Sequence, residues 1–414
     1  MPKVSRTRLL TLMTAAVAAP AFAQSDPIGS DQLQAIAVSP PVAVPVAPVQ
    51  LAVNWPVEDA QALLDYVRKV GQEGLDPLDY QPQALASAIS AAEPEAIDRA
   101  ATATFLRLSS DLALGHVRGD ARVDWHVEDL DLDGNEQYAL MRRAVERHNV
   151  ADALNSLLPT HPQYQELKTV LANSSDPATL DKIRTNLDRW RWLPRDLGRK
   201  YVIVNVPAYS VALVEEGRVT ARRRAVAGAA KTATPQLNAV ISGVIFNPWW
   251  EVPASISNEV RGKKGYVSVP NGEGGVRYRQ PPGPGNALGK MKLVMPNPHA
   301  IYLHDTNAKG LFDNKMRAYS HGCIRTEDAI GFAATLLEED GAWDRTRVNE
   351  ALATGKTVKA DLTAPVPVYI TYFTAAAVAA KNEIISYKDI YGRDAPVVTA
   401  LADRGGTALA SAAK

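Results

Sequence analysis

Two hydrophobic periods divide the chain. From Val53 to about Ala172, apolar residues recur at three- and four-residue spacing. In "VEDAQALLDYVRKVGQEGL", Ala60, Leu63, Leu64, Val67 and Val70 fall on one helical stripe. "DPLDY" breaks that helix. "PEAIDRAATATFLRLSSDLALGHVRG" predicts a long second helix ending at Gly115 or Gly119. "NEQYALMRRAVERHNVADALNSLLP" and "HPQYQELKTVLAN" predict further helices, separated by prolines and by GD or DG pairs. In "DPATLDKIRTNLDRWRWLPRDLGRKY", Ile183, Leu187, Trp190, Trp192 and Leu193 predict a helix that docks onto the next domain and ends at Pro194. Its Trp pair reads as a packing anchor.

From Tyr201 the period changes to two. "YVIVNVP", "YSVALVEEGRVTARRRAVAG", "NAVISGVIFNPWWEVP", "KMKLVMP", "AIYLHD" and "VPVYITYF" all read as strands. "EEGR" between two alternating runs predicts a hairpin turn. Many short strands with Gly/Pro turns argue for a sandwich or barrel. One clear helix interrupts them, at 326–341. Thr326 is its expected N-cap, Glu327 and Asp328 suit the first turn, and Gly341 suits the end. Ala329, Ile330, Ala333, Leu336 and Leu337 form its expected buried stripe.

The ends of the chain read differently. Lys3, Arg6 and Arg8 precede a short apolar run from Leu9 to Ala19, and "AFA" at 21–23 has the small-x-small form of a signal-peptidase site. Residues 1–23 are therefore expected to be a secretory signal. Their apolar run is too short for a permanent anchor, and no later stretch reaches the length of a membrane span. Residues 24–52, with "SPPVAVPVAPVQ", read as an extended linker. The C-terminal "RGGTALASAAK" reads as a frayed end. Lys+Arg and Asp+Glu balance at 45 each. That neutrality leaves no electrostatic footprint for nucleic acid and no basic arm for a membrane surface.

Cysteine usage carries the chemical signal. The 414 residues contain a single cysteine, Cys323, in "YSHGCIR". Exported compartments are oxidising, and one cysteine cannot pair within its own chain. It is an inert buried thiol, an intermolecular bridge or a nucleophile. Its neighbours favour the nucleophile. A turn just before a helix, with imidazole close by, is expected to favour the thiolate and lower the thiol pKa. Gly322 permits a tight turn, which can aim the N–H groups of Gly322 and Cys323 at one point. Two histidines compete as base. His321 is two positions away, and i and i+2 side chains seldom converge around a tight turn. His304, 19 residues upstream at a strand end, can face a shared site and is preferred. Asp305 is placed to orient it, by carboxylate or by carbonyl. An inert thiol remains the plain alternative. A metal site from His304, His321 and Cys323 lacks a CxxC or HxxxH pair, so its spacing is poor for zinc. His116, His126, His148 and His161 are scattered and make no metal motif. No metal or cofactor is expected.

"HDTNAKGLFDNKMRAYSHGCIR" resembles the signature of L,D-transpeptidases with a YkuD-type catalytic domain. In that signature a His precedes a Ser/Thr-His-Gly-Cys segment, matched here by His304 and by Ser320, His321, Gly322 and Cys323; Ile324 and Arg325 match its end. "NLDRWRWLP", "NPWWEVPASI", "QPPGPGNALGKMKLVMPN", "IYLHDT" and "DIYGRD" resemble the large Gram-negative subgroup, and the helical part resembles its scaffold domain. The resemblance spans roughly 55–395. Two departures stand out. The peptidoglycan-binding module common in that subgroup is missing, since "LKTVLANSSDPATLDKIRTNLDRW" runs straight through. The stretch after "VPASI" is abbreviated, which implies a shorter lid over the cleft.

The resemblance implies an α+β multi-domain protein: a helical scaffold domain at 53–174, a connecting helix at 175–199, a mostly β, sandwich-like catalytic domain at 200–375 and a C-terminal extension at 376–414. It implies a periplasmic enzyme acting on peptidoglycan tetrapeptide stems, as donor and acceptor, with other cell-wall enzymes as candidate partners. Cys323 would attack the bond after the L-centre of diaminopimelate, D-Ala would leave, and a second stem would resolve the thioester as a 3→3 cross-link. His304 would shuttle the proton. Tyr302, on the same side of its strand as His304, matches a tyrosine close to the oxyanion. Arg325 is a candidate for a substrate carboxylate or for a structural pair with Glu327 or Asp328. Ser320 is a further candidate contact to substrate. Trp249 and Trp250 wall the cleft or pack the core. His321 is left with supporting the turn. Two alternatives share parts of this reading. An L,D-carboxypeptidase or hydrolase would use the same thioester with water. A non-catalytic wall-binding scaffold would be favoured by a buried Cys323 with an unshifted or raised pKa.

Overall fold

The computed structural model describes residues 53–403, apart from 129–130, 273, 339–340 and 342. The expected signal, linker and frayed end at 404–414 lie outside the described residues.

The helical half begins with α1 (Val57–Lys69), α2 (Pro82–Ala91) and α3 (Pro94–Leu114). The expected α1 stripe is the buried one: Ala60, Leu63, Leu64, Val67 and Val70 are each 2% exposed or less. Gly115 ends α3 at positive φ. A short strand, β1 (Trp125–His126), comes next, which the helical periodicity does not announce. α4 (Gly134–Glu146), α5 (Val150–Asn155), α6 (Pro162–Asn173) and α7 (Pro177–Arg191) complete the set. Asp133 and Glu136 close α4 with a reciprocal capping box.

The β half contains β2 (Lys200–Asn205), β3 (Ser210–Glu215), β4 (Arg218–Gly228), β5 (Gln236–Phe246) and β6 (Trp250–Glu251). Then come α8 (Ser257–Val260), β7 (Val267–Pro270), β8 (Val276–Gln280), β9 (Met291–Val294), β10 (Leu303–His304), β11 (Ala318–Ser320) and β12 (Ile324–Thr326). α9 (Ala329–Glu338), α10 (Arg345–Ala353), β13 (Val358–Thr371), β14 (Ala375–Val378), β15 (Glu383–Ser386) and α11 (Asp394–Ala402) end it. The main sheet runs β1-β5-β13-β2-β3-β4-β12-β10-β9, and an extra β5–β9 pairing closes it on itself. The mostly β character stands, and the two faces of the expected sandwich are joined into one ring. The turn at Glu216 and Gly217 has positive φ at both residues, as a two-residue hairpin demands.

The helix expected from Thr326 starts later. Thr326 pairs with Ala225 in the sheet, so it cannot cap. Asp328 receives the Gly331 N–H at 3.2 Å instead, and Glu327 is drawn away to Arg224. The stretch from Trp250 to Gln280, which contains "VPASI", folds as a separate three-stranded sheet, β6-β8-β7, over its own small cluster of Val252, Ile256 and Val260. Arg277 and Arg279 clamp Glu251 across it.

α7 joins the two halves, and its C-terminal half, from Thr185 to Arg191, is buried on every side. Trp190 stacks on Phe373 at 4.2 Å and on His161 at 4.1 Å, so the Trp pair is a packing anchor as expected. Its polar side chains are satisfied inside the protein. Asp188, fully buried, accepts from the backbone N–H of His116 and Val117 and from the Trp192 indole. Arg191 meets the Tyr164 hydroxyl at 2.8 Å and Asp188 at 3.4 Å. Asn186 and Arg189 bond Thr374, and Arg189 pairs with Asp394 at 2.6 Å. Such a network is costly when broken, because the surviving charge is left buried and unpaired. Asp188→Ala is expected to lower the unfolding free energy by about 3–5 kcal/mol, read from a urea titration against wild type.

Candidate active site

The site is set by strand register. β10 pairs in parallel with β12, Leu303 against Ile324 and His304 against Arg325. It pairs antiparallel with β9, His304 against Lys292. Residues opposite one another point to the same side, and alternate residues point to opposite sides. Leu303, Ile324, Met291 and Leu293 therefore enter the core with Phe332 and Leu336 of α9. His304, Arg325 and Lys292 form a row on the other face. Tyr302 and Cys323, two positions before His304 and Arg325, join that face. The rings of Tyr302 and His304 meet edge-on at 5.6 Å.

Each expected residue can now be placed. Cys323 is half-buried at the end of a turn, and its thiol lies 3.6 Å from the Ala300 carbonyl oxygen. It is not at a helix N-terminus, because β12 separates it from α9. The expected fall in its pKa does not occur. Burial pushes the thiol up to about 11, opposed by hydrogen bonds from the Tyr302 backbone and hydroxyl and by the charges of Lys292 and Arg325. His304 is buried, and burial followed by the charge of Arg325 lowers it to about 4. The resting pair is a neutral thiol and a neutral imidazole.

Asp305 orients His304 by its carbonyl. His304 Nδ1 lies 2.5 Å from the Asp305 backbone oxygen, which can only accept. The proton therefore sits on Nδ1 and leaves the lone pair on Nε2. The Asp305 carboxylate is occupied elsewhere, accepting from the Lys290 N–H at 2.8 Å and from Lys309. Tyr302 is directed at the sulfur. Trp250 and Cys323 both act on the ionisation of its hydroxyl, which places the three side chains beside one another. Trp250 therefore stands beside Tyr302 on this face. Trp249 instead lies under the Arg279 guanidinium, 4.2 Å from ring centroid to carbon.

The turn is closed by Ser320, not by His321. Ser320 is buried; its hydroxyl donates to the Cys323 carbonyl at 2.6 Å and accepts from the Gly322 N–H at 3.1 Å. Two consequences follow from this bonding. Buried in this role, Ser320 is removed from the expected contact with substrate. The Gly322 N–H is also used inside the turn, so it is not aimed at an oxyanion. The Cys323 N–H has no partner among the described residues and is the available donor. Gly322 is required for its conformation, φ +113°, and because a Cβ there would press on Ile301 at 3.0 Å. His321 is exposed and turns outward to Glu259 of α8, at 3.5 Å. Arg325 has no carboxylate partner among the described residues: Glu327 goes to Arg224 and Asp328 to Arg223.

A loop between β4 and β5 braces the turn from behind. Thr232 and Thr234 hydroxyls donate to the Ser320 and Gly322 carbonyls at 2.9 and 2.7 Å. Tyr391, in "DIYGRD", donates to the Gly228 carbonyl at 2.6 Å. The two threonines escape sequence reasoning, since threonines in a turn carry no distinguishing spacing. Lys292 escapes it too. Its signal is present in "KMKLVMP": a lysine between two inward residues of a buried strand. Among the described residues no group of three or more His, Cys, Asp or Glu could hold a metal ion.

Residues 199–368 match the family profile of the YkuD L,D-transpeptidase catalytic domain, and residues 51–171 match the Scaffold domain profile. A Haemophilus influenzae protein named "Putative L,D-transpeptidase" is 32% identical over 282 residues, which cover 61% of this chain. The chain spans 56% of that relative's length. Among solved structures, an L,D-transpeptidase from Mycobacterium smegmatis aligns over 42% of this chain and 58% of its own, at 11% identity and a TM-score of 0.23. L,D-transpeptidase 3 from Mycobacterium tuberculosis aligns over 42% and 61%, at 14% identity and a TM-score of 0.23.

The burial of His304 has a measurable consequence. Between pH 6.5 and about 4 an unfolded histidine binds a proton that His304 in the folded protein does not. Stability must therefore fall as pH falls through that window. The loss from this residue approaches about 3 kcal/mol at the acid end. Urea midpoints between pH 7 and 4 are expected to decline less steeply in His304→Asn than in wild type.

Proposed function

We propose that this chain, whose residues 199–368 match the profile of the YkuD L,D-transpeptidase catalytic domain, forms 3→3 peptidoglycan cross-links through a thioester on Cys323. The observation that carries the reading is the shared face of β10 and the β12 turn, where the Cys323 thiol and a His304 with a free Nε2 lie on one side of the sheet beside Tyr302 and Trp250. The donor is a tetrapeptide stem ending in diaminopimelate and D-Ala. His304 Nε2 takes the thiol proton as sulfur bonds to the carbonyl carbon at the L-centre of diaminopimelate. The Cys323 N–H faces the oxyanion. The carbon–nitrogen bond breaks, His304 returns the proton to the leaving amine, and D-Ala departs. A diaminopimelate amine of a second stem then attacks the thioester, its proton passes to His304, and the thiol is restored. Arg325, uncommitted to any carboxylate among the described residues, is suited to a carboxylate of the stem. The reaction belongs in the periplasm, reached by the signal at 1–23. Residues 53–174 serve as scaffold, 200–375 as catalytic domain and 376–402 as a strap between them.

A second reading has one observation in its favour. A thiol raised to about 11 suits a non-catalytic wall-binding scaffold. The two differ at neutral pH. As an enzyme, the protein gains the mass of one carbapenem at Cys323, and Cys323→Ala or Cys323→Ser removes both the adduct and the cross-linked muropeptides. His304→Ala is expected to fold and to lose about 10²–10⁴-fold in acylation rate. An unmodified Cys323 after carbapenem exposure, with the thiol accessible to alkylation, would sink the enzyme reading. Muropeptides shortened by D-Ala without cross-links would assign the thioester to water, as in a carboxypeptidase.

A further inference from the structure

Lys292 is 7% exposed, in the middle of a strand whose neighbours Met291 and Leu293 are core residues. An ammonium in such a place loses hydration and must be compensated by the groups it faces. It faces the site. Opposite it on β10 is His304, with Arg325 of β12 next in the row. Its Nζ stands 5.6 Å from the centroid of the Tyr302 ring, whose hydroxyl is directed at the Cys323 sulfur. From β6 comes Glu251, itself held by Arg279 at 3.0 Å and Arg277 at 3.7 Å. Burial lowers Lys292 to about 8, while Glu251 and Cys323 favour its charged form. The charged and titratable groups around it include Glu251, Cys323, Tyr302, His304 and Arg325.

We propose that Lys292 is a positioning residue whose ammonium stabilises negative charge on the Cys323 sulfur, so that the thiol ionises beside a cation built into the sheet. The inference rests on the reading of Cys323 as nucleophile. No bond to lysine changes: the proton leaves sulfur for His304 Nε2 or water, and Nζ keeps its three hydrogens. Opposite charges in a partly desolvated site interact strongly. Arg325, two positions after Cys323 on the same face, adds a second favourable charge, and that charge does not titrate near neutrality.

The single cysteine makes the test direct. The rate of iodoacetamide alkylation is measured from pH 6 to 10 for the full chain and its Lys292 variants. Below pH 8 the wild-type rate is expected to rise about tenfold per unit. Near pH 8 it bends to a shallower slope, because each thiolate gained is offset by an ammonium lost. Lys292→Met is expected to show no bend and to react at least about tenfold more slowly at pH 7. Lys292→Arg, which keeps its charge, is expected to stay within about threefold of wild type at pH 7 and to lose the bend. A merely structural lysine would move none of these slopes. Identical profiles for wild type and Lys292→Met overturn the proposal. If Lys292→Met does not fold, a wild-type profile without a bend near pH 8 overturns it alone. Alkylation needs no wall substrate. Failure of the muropeptide assay would end the cross-linking reading, while these profiles would still decide Lys292.

Discussion

The pairing of Leu303 with Ile324 and His304 with Arg325 is the constraint on which the site depends. Period two converts that register into an allocation. One set of residues seals the core against α9, and the other set becomes the cleft. A slip by one residue would bury His304, Arg325 and Lys292 among Phe332 and Leu336 and expose Leu303 and Ile324. The apolar half of each strand therefore holds the polar half in place. Sheet closure through β5 and β9 adds to this, since Lys292 is fixed by Ile245 on one side and by His304 on the other.

The thiol is delivered by a turn with little freedom of its own. Ser320 closes it, Thr232 and Thr234 bind its carbonyls, and Tyr391 braces the loop that carries those threonines. Tyr391 comes from the C-terminal strap, where Arg393 reaches Asp124 and Asp394 reaches Arg189 of α7. α7 is in turn bonded to the helical half through Asp188 and Arg191. The helical half thus touches the site through a continuous chain of hydrogen bonds, and β1 adds it directly to the edge of the sheet.

Electrostatics in the cleft run against the simplest picture of an activated cysteine. Burial acts on every titratable group in the same way, favouring whichever form is neutral. It raises Cys323 and Tyr302 and lowers His304 and Lys292. Where such a shift holds a group away from the protonation state it would take in water, it costs folding free energy. In the proposed reaction the same dryness strengthens the charge that forms during attack. The Asp305 carbonyl prepares for that moment by fixing the His304 tautomer, and Tyr302 does so by pointing a donor at the sulfur.

Much of the fold was legible in one dimension. The change of period at Tyr201, the α1 and α7 stripes and the hairpin at Glu216–Gly217 come from local sterics and side-chain spacing, which neighbours in sequence decide. A lone cysteine behind Ser-His-Gly, with a histidine at a strand end, likewise identifies candidate chemistry, because residue type limits what a group can do. The rest depends on groups distant along the chain. Thr326 looked like a cap until Ala225 claimed it for the sheet. Gly322 looked like an oxyanion donor until Ser320 took its N–H. Asp305 offered two kinds of oxygen, and Lys290 and Lys309 settled which one remained for His304. The thiol pKa and the place of Lys292 were decided the same way, since burial and charge act through space and only the packed fold sets those distances.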